Sequence, residues 1–187
     1  DGCVYRILEL YGCTGTPDEG VLWTPERQFA EIRRMEDEHP YLRGRTIRGV
    51  ADPAIWDASR GESIYETALK HRLFFEKGDN RRIPGWMQLH YRMSFDGEGY
   101  PMLYVFENCR AFIRTVPGLS YSTTAPEDVD TGQEDHAADE SRYFCMGDHR
   151  STSADSRHSE VGCVAEEQVV GKIVWRVWPL AGFGRLS

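Results

Sequence analysis

From Val4 to Cys13 the chain reads VYRILELYGC, which places Val4, Arg6, Leu8 and Leu10 on one side of an extended backbone and predicts a strand. The preceding Asp1-Gly2 is a favoured hairpin-turn pair. A hairpin needs a strand before its turn, so a first strand is expected upstream of Asp1. Thr24-Pro25-Glu26 supplies an N-cap, a proline at the first helical position and an early acid. Phe29, Ile32 and Met35 then recur at helical spacing, predicting a helix to about Glu38. Thr46 to Ala51 (TIRGVA) reads as a short strand ended by Asp52-Pro53, and Ser59 with Glu62 is spaced as a capping box for a helix through Lys70. Leu73 to Phe75 predicts another strand, closed by Gly78-Asp79-Asn80. Asn80 is the expected cap of a helix to about Arg92, with Pro84-Gly85 weakening its first turn. Beyond a turn at Asp96 to Gly99 come a strand (Met102 to Phe106), a helix (Asn108 to Val116, with Phe112 and Val116 inward) and an acidic loop (Pro126 to Gln133). Glu134 to Met146 predicts a last helix, with Ala137, Ala138, Tyr143 and Phe144 available for packing. Strands separated by helices in this way predict α/β layers around a mixed or mostly parallel sheet. After Met146 the pattern changes to a polar loop rich in Ser, Asp, His and Arg, then one long apolar strand, Val169 to Trp178, and a Pro- and Gly-rich end.

Composition supports a packed protein. Hydrophobic residues are 40%, charged residues 28% and aromatics 12% of 187 residues, enough for one sizeable core and too apolar for disorder. The formal net charge of −8 means that any contact with nucleic acid would use a local basic patch rather than the overall field. Clustered carboxylates holding divalent cations would suit the same balance. The five cysteines are odd in number and irregularly spaced without a CxxC pair, which argues against structural zinc and for reduced thiols in a cytoplasmic compartment. No apolar run is long enough to span a membrane. The start at Asp1, with neither Met nor a signal-like segment, predicts a fragment.

Two acidic positions stand out by context. Asp52 ends a strand where Pro53 stops further ladder bonding, so its carboxylate is expected at the carboxyl edge of the sheet, where open α/β sheets bind ligands. Asp135, within EDHAAD, opens the last helix, where the helix dipole alone favours a carboxylate. A pair of divalent ions about 4 Å apart needs several carboxylates converging from separate elements. Asp52 and Asp135 are of that kind, and Asp139, one turn along, could share the face of Asp135.

At this point a family resemblance enters. ADPAIWDASRGES (from Ala51), GDNRRIPGWMQ (from Gly78), YVFENCRAFIRTVP (from Tyr104) and PEDVDTGQEDHAADESRYFCM (from Pro126) resemble, in the same order, the nuclease domain of phage terminase large subunits. The resemblance covers residues 1–146. It implies a ribonuclease H-like α/β fold, a mixed sheet with flanking helices whose first strand is missing here. It also implies a Mg²⁺- or Mn²⁺-dependent endonuclease acting on double-stranded DNA in the cytoplasm of an infected bacterial host. The terminase ATPase domain and the portal would be its partners. By position, Asp52 and Asp135 would be catalytic acids and metal ligands, and Asp139 a further catalytic acid. The first acid would lie on the missing strand, leaving the centre incomplete. Lys77, Arg81 and Arg82, in a basic run that starts at Lys70, would contact DNA phosphates.

Residues 147–187 resemble something else. GDHRSTSADSR (Gly147 to Arg157) resembles a signature box near the C-terminus of bacterial type I signal peptidases, and EEQVVGKIVWRVWPLAGFG (from Glu166) continues into that family's last strand. The resemblance implies a polar loop and β-strand in which Ser153 lies near a catalytic lysine while Asp155 pairs with Arg157 to brace it. In that family a Ser nucleophile and a Lys base lie in upstream boxes that this chain does not contain. The two resemblances meet near Met146 and predict a chimera. Three functions follow as expectations: a metal-dependent packaging nuclease, part of a Ser/Lys peptidase, or a non-catalytic DNA-binding module.

Overall fold

A computed structural model describes residues 3–16, 19–95 and 97–147. The elements are β1 (Val4–Arg6), α1 (Pro25–Glu38), β2 (Arg48–Ala51), α2 (Ile64–Lys70), β3 (Phe74–Lys77), α3 (Arg82–Met93), β4 (Leu103–Val105), α4 (Arg110–Thr115) and α5 (His136–Gly147), with 3₁₀ turns at Pro53–Trp56 and Val116–Gly118. The chain is mixed α/β, and its described strands form two parallel pairs, β1 with β4 and β2 with β3. These lie in two compact units, one of residues 3–11 and 79–147 and the other of residues 12–78. No helix among the described residues is long and apolar enough to cross a membrane.

In the unit of residues 12–78, β2 and β3 pair from Arg48 opposite Phe74 to Ala51 opposite Lys77. Helix α1 starts where Thr24 accepts from the Arg27 N–H and Pro25 takes the first helical position. Its buried face carries Phe29 and Ile32, and the Phe29 ring lies 6.1 Å from that of Phe75 on β3. The capping box is Ser63 with Glu66, one turn beyond the expected Ser59 and Glu62. Ser59 instead turns back on Asp57, whose carboxylate accepts its N–H at 2.8 Å. A serine and a glutamate three apart are only a spacing until the backbone between them becomes helical, and here the helix begins at Ile64. Arg72, at φ 58°, turns the chain from α2 into β3.

In the other unit, β1 and β4 pair from Val4 opposite Leu103 to Arg6 opposite Val105. The predicted strand to Cys13 is therefore shorter than expected, and Leu8 and Leu10 lie beyond the ladder. Glu9 spends its carboxylate on the start of α4, accepting from the Ala111 N–H at 2.7 Å and the Phe112 N–H at 3.0 Å. Helix α3 is entered through Arg81 rather than Asn80, with no side-chain cap. Pro84 sits within the first turn, where its missing N–H costs no helical bond. Two small cores pack around the sheet: Leu89, Ala138 and Cys145 with Trp86 and Phe144, and Cys109, Phe112 and Ala137 with Tyr11 and Val105. Leu103 and Val116 border both. Asp1-Gly2 and Val169 to Trp178 lie outside the described residues.

Candidate functional site

The densest polar arrangement lies where α3 meets α5. Arg82, at the first position of α3, faces three carboxylates, one from the acidic loop, one just before α5 and one on α5. Its Nε donates to both Asp128 oxygens at 3.0 Å, Nη2 to Asp135 at 3.2 Å and Nη1 to Asp139 at 3.1 Å. Asp139 also accepts from Arg142 Nε at 2.6 Å, a pair one helical turn apart. Trp86 Nε1 donates to Asp128 at 2.6 Å, and its ring lies under both guanidinium groups, 5.2 Å from Arg82 and 5.5 Å from Arg142. Asp135, Asp139 and Arg142 are buried.

Three carboxylates in one place would repel one another strongly without cations between them. The two arginines supply those cations from within the fold. Burial disfavours ionisation of Asp128, yet the Trp86 N–H and the Arg82 guanidinium hold its carboxyl below the usual range. Burial likewise works against the Arg82 charge, and the surrounding aspartates raise its pKa all the same. Close by, the Arg81 side chain holds the Asp79 carboxyl down to about 2. Of the expected site residues, Asp135, Asp139 and Arg82 are thus brought together, while Arg81 pairs with Asp79 at 2.5 Å. Asp128, Trp86 and Arg142 complete the arrangement. Their signals in the sequence were local: an acid in a loop, a tryptophan within GDNRRIPGWMQ, and an arginine three residues after Asp139.

In the unit of residues 12–78, Asp52 caps the 3₁₀ turn that follows β2, accepting from the Ala54 N–H at 2.7 Å. This is the role that Asp-Pro at a strand end has when it starts a turn. Lys77 ends β3 with its Nζ 5.7 Å from the Trp56 ring, which packs on Tyr65 at 4.6 Å. Lys70 pairs with Glu62. Ser153, Asp155 and Arg157 lie outside the described residues.

The Signal peptidase, peptidase S26 family matches residues 92–178. This stretch begins in α3, includes β4, α4 and α5, and runs across Met146. The chain is similar to Signal peptidase IB of Staphylococcus aureus strains N315, MW2 and COL, 43% identical over 42 residues in each. These residues are 22% of this chain and 21% of each relative, so the chain spans about a fifth of the length of the curated relatives it matches. No solved structure matches the chain.

These findings correct one expectation outright. Mg²⁺ or Mn²⁺ is not the cofactor they support, because the similarity is to a peptidase family whose chemistry uses serine and lysine. Among the described residues no group of three or more His, Cys, Asp or Glu side chains is arranged to hold a metal ion. The physical reason is visible at α3 and α5, where Asp135 and Asp139, expected to face a divalent cation, close on arginine guanidinium groups. The comparisons lend no support to a terminase nuclease. What they do support is similarity to signal peptidases over residues 92–178, a stretch that takes in β4, α4 and α5 of the α/β structure.

Proposed function

We propose that residues 92–178 are the C-terminal support segment of a Ser/Lys-type signal peptidase. The observation that carries this reading is the family match over that stretch, which contains GDHRSTSADSR. In this role Ser153 stands beside the general-base lysine, and Asp155 paired with Arg157 holds that part of the site in place. The segment supports catalysis and supplies neither nucleophile nor base. Of the chain's three lysines, Lys70 and Lys77 precede the matched stretch, and Lys172 falls in the part resembling the family's last strand rather than a base-bearing box.

The test is a segment swap. Residues 147–178 replace the corresponding stretch of Signal peptidase IB of S. aureus, and cleavage of a preprotein is followed. Retention of cleavage within about tenfold of the parent is expected, with a further fall of one to two orders of magnitude for Asp155→Ala, the range for losing a group that positions a catalytic side chain. A folded swap with no cleavage, or one indifferent to Asp155→Ala, would sink the proposal.

A further inference from the structure

Between α4 and α5, residues 120–133 form a lobe that is hydrogen-bonded mainly to itself. Its neck is tied where the Ser120 N–H donates to Gln133 Oε1 at 3.1 Å and Gln133 Nε2 donates to Ser120 Oγ at 2.7 Å. Within it, the Ser122 N–H donates to the Asp128 carbonyl at 2.8 Å, the Asp128 N–H to the Ala125 carbonyl at 2.8 Å and the Asp130 N–H to the Ser120 carbonyl at 3.0 Å. The residues just outside the neck are fixed. Leu119 packs on the core of Leu89, Ala138 and Cys145, and Glu134 accepts from Tyr11 and Arg114. Residues 123–127 are exposed, as is Tyr121. A surface loop with close ends and its own internal bonds can open as a unit while its surroundings stay folded.

One side chain ties this lobe to α3. Asp128 accepts from Arg82 Nε at 3.0 Å on both oxygens and from Trp86 Nε1 at 2.6 Å. Among the described residues, no other side chain of 120–133 is hydrogen-bonded outside the lobe. The contact is separable from the helix junction beneath it. Without Asp128, Arg82 still meets Asp135 and Asp139, and Arg142 still meets Asp139, so two carboxylates remain for two guanidinium groups. Asp128 is also the most accessible of the three acids, its side chain 21% exposed against 8% for Asp135 and 3% for Asp139. Withdrawing it therefore strands no buried charge, which removing either of the others would do. Opening would uncover the Trp86 N–H and one edge of the Arg82 guanidinium.

We propose that residues 120–133 are a lid on the start of α3, latched shut by the Asp128 carboxylate on Arg82 and Trp86. This does not rest on the peptidase reading, since the segment swap can fail while the latch stands. The experiment is hydrogen exchange by mass spectrometry on the full chain. In the parent, peptides covering 120–133 should exchange more slowly than an unstructured chain. Asp128→Ala removes charge-assisted bonds and should speed their exchange at least about tenfold, with peptides of α3 and α5 unchanged. Trp86→Phe leaves the lobe's own sequence intact and removes one donor, so it should speed the same peptides about threefold or more. Exchange of 120–133 at the unstructured rate in the parent would overturn the proposal, because there would be no closed state. Protection that ignores both substitutions would overturn it too. Acceleration in Asp128→Ala alone would assign the effect to the lobe's internal turn, and equal acceleration of α3 and α5 would make Asp128 a brace of the whole unit. Either result would count against a latch.

Discussion

Arg82 stands among Asp128, Asp135 and Asp139, and its removal would take the guanidinium from Asp128 and Asp135 and leave Asp139 with Arg142. Losing one partner of a fully buried pair costs about 3–5 kcal/mol. About a quarter of the Arg82 side chain (27%) remains exposed, so we expect roughly 2–3 kcal/mol for Arg82→Met, read as a lower urea midpoint. Arg82→Lys should recover only part of this, because an ammonium cannot form the forked contact to both Asp128 oxygens. An unchanged midpoint in Arg82→Met would show that the carboxylates do not depend on it. Glu36 makes a different prediction. It lies on the buried face of α1 at 1% exposure, and burial pushes its carboxyl from 4.5 up to about 7, against the pull of Arg33. The folded chain holds a proton there that the unfolded chain releases. Stability from this group is complete below about pH 4.5 and is lost as pH rises through about 7. The urea midpoint of the parent should therefore fall between pH 5 and pH 8, and that of Glu36→Gln should fall less. Equal slopes in the two proteins would remove Glu36 as the cause.

At the scale of elements, the junction of α3 with α5 depends on a residue that has no side chain. A Cβ at Gly85 would meet the Arg142 side chain at 3.0–3.2 Å, including its Cβ, which cannot swing away. Gly85→Ala gains about 1 kcal/mol of helix propensity and loses about 1–3 kcal/mol through overpacking. A net loss on the order of 1 kcal/mol is expected. In an Arg142→Gly background the Cβ, Cγ and Cδ that obstruct it are all gone, and the same substitution should become stabilising. The change of sign, measured by a double-mutant cycle in urea, is the decisive reading, and additive effects would show that Arg142 is not what Gly85 accommodates.

At the scale of the whole molecule, the stretch similar to signal peptidases is tied, among the described residues, to segments that precede it. Strand β4 pairs with β1, and Glu9 satisfies the first N–H groups of α4. Arg6 reaches Glu140 at 2.9 Å and Ser141 at 3.2 Å, and Tyr11 donates to Glu134 at 2.7 Å. All of those partners precede residue 92. A polypeptide of residues 92–178 should therefore lack a cooperative thermal transition, and mixing it with residues 1–91 should restore one if the pieces associate. A cooperative transition in the isolated stretch would show that it is a domain in its own right.

The order of elements was legible from short-range physics. Thr24-Pro25 started α1, apolar spacing marked α1 and α5, and Asp52-Pro53 ended β2, because caps, proline geometry and amphipathic period act over one or two turns. The polar signature after Met146 was legible for the same reason, as a contiguous string, and the family match supports its similarity to signal peptidases. Tertiary structure decided the partners of the carboxylates. Asp135 and Asp139 carry the same local signal whether they face a metal ion or an arginine, and only the packing of α3 on α5 brings Arg82 and Arg142 to them. Strand length was decided in the same way, since β1 stops at Arg6, where pairing with β4 ends, while its alternation continues. Sequence pattern records what each segment can bury or bind, and long-range contact determines which of those possibilities the folded chain takes.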